Sequence, residues 1–553
     1  VIDGPATKTV NFSASGDKLV NFTVRGNGEG TARITVKATG AAHKASETIS
    51  LPVKNPNRPS TKVKYYTIAP ESTVSHALSG GDRLSGAVMV SGIPSIDYDG
   101  VFNFVKNYPY TCTEQLAARG LVLLHSKDYL QDDKKEAAVK LLEDIVYQLY
   151  ARQLPGGGFV YWAGVATTDS WVSSMAGLLL CEAKAAGIDV SDDVLDAWFK
   201  YQRDNVRAYK HKEGGNRLLD LDQAFRLFTL SVSGNDEAGA MNRLKEAANC
   251  SAQSRWMLAA TYAVSGKKQI AESIIGSIEQ GITEPVGENV TFASGYRDKA
   301  VAMMALALTG DTGRAIELAK DVSSLFGPGF TSTQECAFAA IAMNVLSGAV
   351  NPGALDVTVD SESGRAVLED KGGNAVYEIR PADAKLSIAN RGPAPIYAAV
   401  SETVLASAGT KVPAKSSGLR IEVKYTGKDG GAVNPAKLAQ GTDFEAEIRV
   451  TNTNTLEDYA HVALSAPVAS GWEIRGDRLS DVPSAQNGYD FLDIRDDATL
   501  WYFDLERGGS KTFKLKLRAA YEGEFVLPAV SCELMYDSLI AANTASGSAT
   551  VTK

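Results

Sequence analysis

YPYTCTEQ, residues Tyr108 to Gln115, reads as a short aromatic loop running into a helix. Thr111 suits an N-cap, because its side-chain oxygen can accept from the free amides of a first turn. Glu114, three residues on, completes the pattern of a capping box. That register puts Cys112 at the first helical position. Gln115 then falls one turn further on the same side, since residues three apart on a helix are neighbours. A thiol and a side-chain carboxamide held together can condense, losing ammonia, to an internal thioester. The competing account is a buried cysteine on an ordinary capped helix, because free cysteine commonly packs as a small core residue. The surrounding sequence has to decide.

The chain has 553 residues, too many for one core, and its length suggests about three or four domains. With 44% hydrophobic and 22% charged residues it has the composition of an ordinary soluble protein. A net charge of −9 argues against a nucleic-acid binder, whose footprint is basic. No apolar run approaches the roughly 18 residues needed to span a bilayer; the longest, Ala300 to Leu308, reads as a core helix. There is no initiator Met or signal peptide, and the first residues already look like a strand. The expectation is an excised C-terminal part of something longer, with any export or anchoring signal upstream. The cysteines, Cys112, Cys181, Cys250, Cys336 and Cys532, are odd in number, widely spaced and in no metal-ligand pattern. Neither a disulfide framework nor a zinc site is expected. Cys181, Cys250 and Cys336 lie in apolar helical stretches and are expected to be packed.

Outward from the tetrad, the pattern changes twice. Residues 1–58 are strand-like: Val20, Phe22 and Val24 alternate with polar neighbours, as do Ile34, Val36 and Ala38, with the turn GNGEG between them. This is too little for a whole sandwich and fits the closing part of a β domain. NPNRPS, Asn55 to Ser60, reads as a linker, and Lys62 to Val90 continues in short strands. From about Asp99 to Gly348 the period is helical, as in Ala138, Leu141, Leu142, Ile145 and Leu149. Helical stretches follow at 168–187, 191–208, 217–231, 236–249, 252–265, 267–279, 296–309, 311–323 and 333–347. About a dozen short helices with tight connections suggest antiparallel pairs, stacked as a ring or an open solenoid. After Asn351-Pro352 strands return to Val412, and with 59–98 they make one β domain into which the helices are inserted. In 413–553, Phe444, Ala446, Ile448 and Val450 alternate, as do Phe513, Leu515 and Leu517, which suits an antiparallel sandwich of about seven strands.

The tetrad C-x-E-Q matches the thioester sequence of the alpha-2-macroglobulin and complement family, and the flanking YPY resembles its bacterial branch. The likeness runs on through GGGFVYW (Gly156 to Trp162), TDSW after it, and FTSTQ (Phe330 to Gln334). In the last region it includes QGTDF, SGWEI, YDFLDIRDD, YEGEFVLPAV and ELMYD. The chain resembles the C-terminal half of a bacterial alpha-2-macroglobulin over nearly its whole length. The resemblance implies a multidomain α and β fold. Residues 1–58 would be the end of a macroglobulin-like β domain, and 59–98 with 351–412 a split CUB-type β domain. Residues 99–350 would be an α/α toroid thioester domain inserted in it, and 413–553 a last macroglobulin-like antiparallel β-sandwich. The chain departs from the family at Thr111, where most members have Gly, and at Ala498, where close relatives often have Arg; the latter is expected to be a surface matter.

A thioester is an acyl donor whose leaving group is a thiolate. The thiol has an ordinary pKa of about 8.5, and a helix N-terminus favours the anion further. An amine or hydroxyl would attack the Gln115 carbonyl, become joined to the protein and free Cys112. Water does the same and wastes the bond, so the site needs dry cover. Tyr108 and Tyr110 beside the tetrad are candidates. The resemblance adds Met535 and Tyr536, since bacterial members shield the bond with a Met-Tyr pair from the last domain. Met is adaptable and Tyr has a broad apolar face with a polar tip; the simpler account is core packing at both positions.

Three other features carry less. His211, in AYKHKEGGN, could pass the acyl group to hydroxyls, but a charged Gly-containing loop predicts a solvated His. Asp220 and Asp222 form a D-x-D that a metal-dependent toroid enzyme could use, although capping or solvent-facing carboxylates at a helix start are the plainer reading. Trp162 reads as a buried Trp after a glycine turn. The resemblance therefore implies a single-use protease inhibitor, not an enzyme, that traps attacking proteases covalently through their lysine amines. It implies no cofactor, no nucleic-acid partner and a periplasmic or envelope location with lipid anchoring through an upstream segment. A covalent adhesin and a toroid enzyme with an inert tetrad are the alternatives.

Overall fold

In the computed structural model of the chain, all residues are described except 26–29, 41–42, 54, 56–59, 80–82, 95, 131, 213–216, 279–290, 293, 325–331, 351–353, 372, 405–409 and 476–487. Most of the GNGEG turn and the NPNRPS linker, Asn351-Pro352, and the Phe330 and Thr331 of FTSTQ lie outside the described residues.

The helices are α1 (Tyr98–Asn107), α2 (Thr113–Ser126), α3 (Asp132–Tyr150), α4 (Ser170–Ala185), α5 (Asp192–Ala208) and α6 (Arg217–Val232). They continue with α7 (Ala238–Glu246), α8 (Ala252–Val264), α9 (Lys268–Gly276), α10 (Gly295–Thr309), α11 (Thr312–Ser324) and α12 (Thr333–Ala349). Every helix expected from periodicity is present, with ends moved by a few residues. Two kinds alternate along the chain. In α3 only a stripe through Ala138, Leu142, Ile145, Val146 and Leu149 is buried, whereas α2 is buried at every residue but His125. A helix apolar on all sides has to be enclosed by others, and α2, α4, α6, α8, α10 and α12 are. Each of these packs on the next, and α12 packs back on α2, closing the series. Small residues set the spacing: a Cβ on Gly120 of α2 would lie 2.3 Å from Leu179 of α4, and one on Gly177 would lie 1.8 Å from the Trp198 ring of α5.

Strands on either side of the helices share sheets. One sheet runs 374–378, 83–91, 396–404, 60–68, and a second runs 73–77, 385–390, 357–361, 364–367, all antiparallel. Ile68, Val88, Val90, Val357, Val359, Leu386 and Ile388 fill the space between them. In the last region Phe444 faces Leu517, Ala446 faces Leu515 and Ile448 faces Phe513, so the two alternating stretches read in the sequence are neighbours in one sheet. That region divides more finely than about seven strands, into sheets of six, four and three. Short strands such as Leu438–Ala439 and Trp472–Ile474 carry too few residues for a period-two signal.

The first region departs most from expectation. Of the Val20–Val24 alternation only Thr23–Val24 is strand, paired with Ile2–Asp3. Gly30–Thr39 and Lys44–Val53 form a hairpin whose Val36, Ile49 and Leu51 are exposed. Alternation specifies a strand only where one face has a core to cover. All five cysteines are free thiols; Cys336 is buried, and Cys181 and Cys250 are half-buried and packed against the helical core, as expected.

Candidate functional site

A fourth apolar cluster belongs to no single region. Tyr108, Tyr110, Cys112 and Trp162 from the helical region meet Ala463, Ala498, Leu500, Tyr502 and Met535 from the last β region. The start of α2 lies at its centre.

The helix begins one residue later than the capping pattern predicts. Cys112, not Thr111, is the N-cap, with extended backbone (φ −62°, ψ 162°). Its Sγ accepts from the Gln115 amide at 3.4 Å, and the Gln115 side-chain Oε1 accepts from the Cys112 amide at 3.2 Å. A reciprocal capping box is thus made by Cys112 and Gln115, and Glu114 is released from the capping role expected of it. Thr111 stands half-buried just outside the cap. Both Cys112 and Gln115 are at 0% exposure.

Met535 and Tyr536 cover this pair. The Gln115 Nε2 donates to the Tyr108 hydroxyl at 3.2 Å and to Met535 Sδ at 3.4 Å, while Tyr108 donates to the Met535 carbonyl at 3.4 Å. The Tyr536 hydroxyl lies 3.7 Å from Cys112 Sγ and 3.0 Å from the Tyr161 hydroxyl, and donates to Glu114 Oε2 at 3.0 Å. Its ring packs on Phe292 (centroids 4.4 Å apart) and meets the His461 ring edge-on at 5.4 Å. Tyr110 donates to Glu533 of the strand that leads to Met535. Around this centre Trp162 stacks on Phe491 at 4.5 Å and 6°, and Arg495 donates to the Pro109 carbonyl at 2.9 Å.

Burial governs the electrostatics. The Cys112 thiol is pushed up to about 12, by desolvation first and by neighbouring Glu114 second. The helix N-terminus was expected to favour the thiolate, but a partial dipole charge does not offset the loss of all hydration. Burial likewise raises the Glu114 carboxyl to about 8, against hydrogen bonds from Tyr536 and Thr333 that favour its anion. Both bonds fall on Oε2, leaving Oε1 buried with no partner.

Other expectations are corrected. His211 is not solvated but paired with Asp220, 2.8 Å from its Oδ1. Asp220 and Asp222 are buried rather than solvent-facing; Asp222 accepts from Ser170 at 2.7 Å and pairs with Arg226 at 2.6 Å. Trp162 is buried, as read, and lies in the cluster between the regions. Ala498 is also inside that cluster and no surface position. Tyr161, Phe292 and His461 went unnoticed as cover. GGGFVYW drew attention to the first; the other two carry no signal, since His461 enters through a left-handed backbone (φ 56°) that nothing in its neighbours announces.

Residues 418–538 match the family model described as the bacterial alpha-2-macroglobulin MG10 domain. The alpha-2-macroglobulin of Xylella fastidiosa strain Temecula1 is 25% identical over 255 residues, covering 43% of this chain and 16% of that protein. That of Pasteurella multocida is 28% identical over 166 residues, 29% of this chain and 8% of that protein. The chain therefore spans 16% or less of the curated relatives it matches. An Escherichia coli alpha-2-macroglobulin fragment running from domain MG7 to the C-terminus shares the fold. Its TM-score is 0.79 at 16% identity, covering 95% of this chain and 88% of that one. Salmonella alpha-2-macroglobulin reacted with methylamine gives 0.79 at 18% identity, with 95% and 36% covered. The fold is thus a multidomain one, a helical body joined to antiparallel β regions, of the kind seen in macroglobulins. Within that class the chain is similar to the C-terminal portion of bacterial alpha-2-macroglobulins.

Proposed function

We propose that this chain is the thioester-bearing part of a protease trap, in which the Cys112 thiol and the Gln115 carboxamide condense to a thioester and ammonia. The observation that carries this reading is the reciprocal Cys112–Gln115 cap, buried beneath Tyr108, Met535 and Tyr536. Apolar cover excludes water, and desolvation makes the thiolate a poor leaving group while the cover is in place. When the last β region moves away, water and charge stabilisation reach Cys112 and a lysine amine can attack the Gln115 carbonyl. The amide forms, the C–S bond breaks, and the thiolate takes the proton the amine gives up. One bond is consumed per chain, so the protein is a single-use inhibitor and not a turnover enzyme.

The closed series from α2 to α12 supports reading residues 99–350 as an α/α toroid. The shared sheets support a split CUB-type domain formed by 59–98 and 351–412. The bait segment a protease would cut, a periplasmic or envelope location and a lipid anchor belong to this proposal through the resemblance alone. In native protein prepared without amines, the intact mass should be lighter than the sequence by one ammonia. Methylamine should then add at Gln115 and free one titratable thiol, and Cys112→Ala should do neither. A full sequence mass with no response to methylamine overturns the reading; covalent capture of protein lysines confined to protease-treated full-length protein separates a trap from a covalent adhesin.

A further inference from the structure

Away from the cap, three segments of the helical region converge on one point. His211 follows α5, Asp220 lies in the first turn of α6, and Cys250 ends the loop between α7 and α8. In that loop Asn249 adopts left-handed backbone (φ 59°), a turn Asn tolerates better than most residues, immediately before Cys250. A ring nitrogen of His211, a carboxylate oxygen of Asp220 and Cys250 Sγ all lie within 4.8 Å of one another. We infer that His211, Asp220 and Cys250 form a binding site for one thiophilic divalent cation, Zn2+ by chemistry.

The donor set selects the ion. Nitrogen, carboxylate oxygen and thiolate together suit Zn2+, whereas Mg2+ and Ca2+ want oxygen throughout. Three protein ligands leave the fourth tetrahedral position to water. Zinc–ligand bonds of about 2.0–2.3 Å put donors roughly 3.3–3.8 Å apart, so the widest pair closes by about 1–1.5 Å from the 4.8 Å limit, while His211 Nδ1 and Asp220 Oδ1, hydrogen-bonded at 2.8 Å, open by about 0.5–1 Å. His211 Nε2 is buried with no hydrogen-bond partner, which leaves a ring nitrogen whose polarity is unanswered by the protein. Asp220 is held in place by the Tyr209 hydroxyl, which donates to its Oδ1 and would act as the outer partner that orients a metal-bound carboxylate. Side-chain exposures of 19% for His211 and 6% for Asp220 give an ion a route in without a wet site. On binding, Cys250 gives up its thiol proton to solvent, and thiolate and carboxylate together balance the two charges of the ion. Cysteine spacing carries no hint of this, because the three ligands come from separate segments and only one is a cysteine.

The test uses the whole chain carrying Cys112→Ala, reduced and stripped of metal, so that the other reactive thiol cannot contribute. Equilibrium dialysis against Zn2+ should give one bound equivalent. Co2+ in its place should give the near-ultraviolet thiolate-to-cobalt band together with intense tetrahedral bands in the visible. Cys250→Ser should abolish the thiolate band, and His211→Gln should weaken Zn2+ binding by about tenfold or more. Absence of a stoichiometric equivalent in the parent protein, or a thiolate band that survives Cys250→Ser, overturns the inference. The cobalt spectrum of the Cys112→Ala chain decides the matter without Cys250→Ser or His211→Gln having to fold, and neither result bears on the thioester.

Discussion

Glu114 is the residue whose role changed most between sequence and structure. The tetrad named it, yet its capping role went to Gln115, and its carboxyl lies instead between Tyr536 and Thr333 with one oxygen unanswered. Spacing alone cannot tell which of two adjacent polar residues caps a helix, since a shift of one residue exchanges their roles. What it could supply was the chemistry of Cys112 and Gln115, which survives that shift because both move together. The carboxyl titrates at about 8 in the folded chain against an ordinary value of about 4.3. The folded state therefore holds a proton that the unfolded chain has lost between those limits. The contribution of Glu114 to stability is fully present below about pH 4.3 and is lost as pH rises through about 8, with a slope of at most about 1.4 kcal/mol per pH unit. Urea midpoints of the wild type should fall from about pH 5 to about pH 8 relative to those of Glu114→Gln, which has no proton to lose. Parallel pH profiles for the two proteins would mean that Glu114 is solvated or charged in the folded chain.

At the scale of elements, legibility followed burial geometry. The helices were readable because each repeats its signal over about two and a half turns or more, and even all-round apolar stretches such as Ala300 to Leu308 declare a helix by length. In the first β region the alternation at Ile34, Val36 and Ala38 is strand, as read, while that of Val20 to Val24, which covers no core, is strand only at Thr23–Val24. The closing of α12 upon α2 was invisible, since periodicity records which face of a helix is apolar and not which helix meets it. Glycines mark some of those meetings, and Gly177 is the sharpest case. A methyl there would enter the Trp198 ring at 1.8 Å, while Trp198 is fully buried and donates to the Ser173 carbonyl at 2.8 Å. Neither ring nor backbone can yield without breaking that bond. Gly177→Ala gains about 1 kcal/mol of intrinsic helix propensity, yet overpacking should cost roughly 1–3 kcal/mol and leave the variant no better, or net destabilised by up to about 2 kcal/mol. Gly187→Ala, in the loop after α4 with open space around its Cβ but positive φ, separates steric from backbone cost. Denaturant midpoints with near-ultraviolet circular dichroism check both, and a clearly stabilised Gly177→Ala would show that α4 and α5 are not in such close contact.

For the molecule as a whole, the decisive structure is the seam between the helical region and the last β region, because the thioester proposed at Cys112 would last only while that seam is shut. Its makers looked ordinary in sequence: Trp162 reads as a buried Trp after a glycine turn and Ala498 as a surface position, Phe491 drew no reading of its own, and only a fold places them together. Trp162 stacks flat on Phe491 and lies 4.4 Å from the Tyr502 ring, and neither Cys112 nor Gln115 hydrogen-bonds to it among the described residues. Its removal therefore loosens docking while leaving the Cys112–Gln115 cap chemically intact. Truncating a buried Trp costs roughly 3–5 kcal/mol, and the part of that cost borne by the seam raises the open population in proportion, tenfold for each 1.4 kcal/mol or so. Trp162→Ala should thus free the Cys112 thiol in dilute methylamine at least about tenfold faster than the parent. Tyr147→Ala, which removes a 77% exposed ring on α3 far from any cover, should not. Thiol titration over time measures both. If Trp162→Ala reacts at the parent's rate while remaining folded, shelter at Cys112 comes from Tyr108, Met535 and Tyr536 alone, and the wider seam plays no part in guarding the bond.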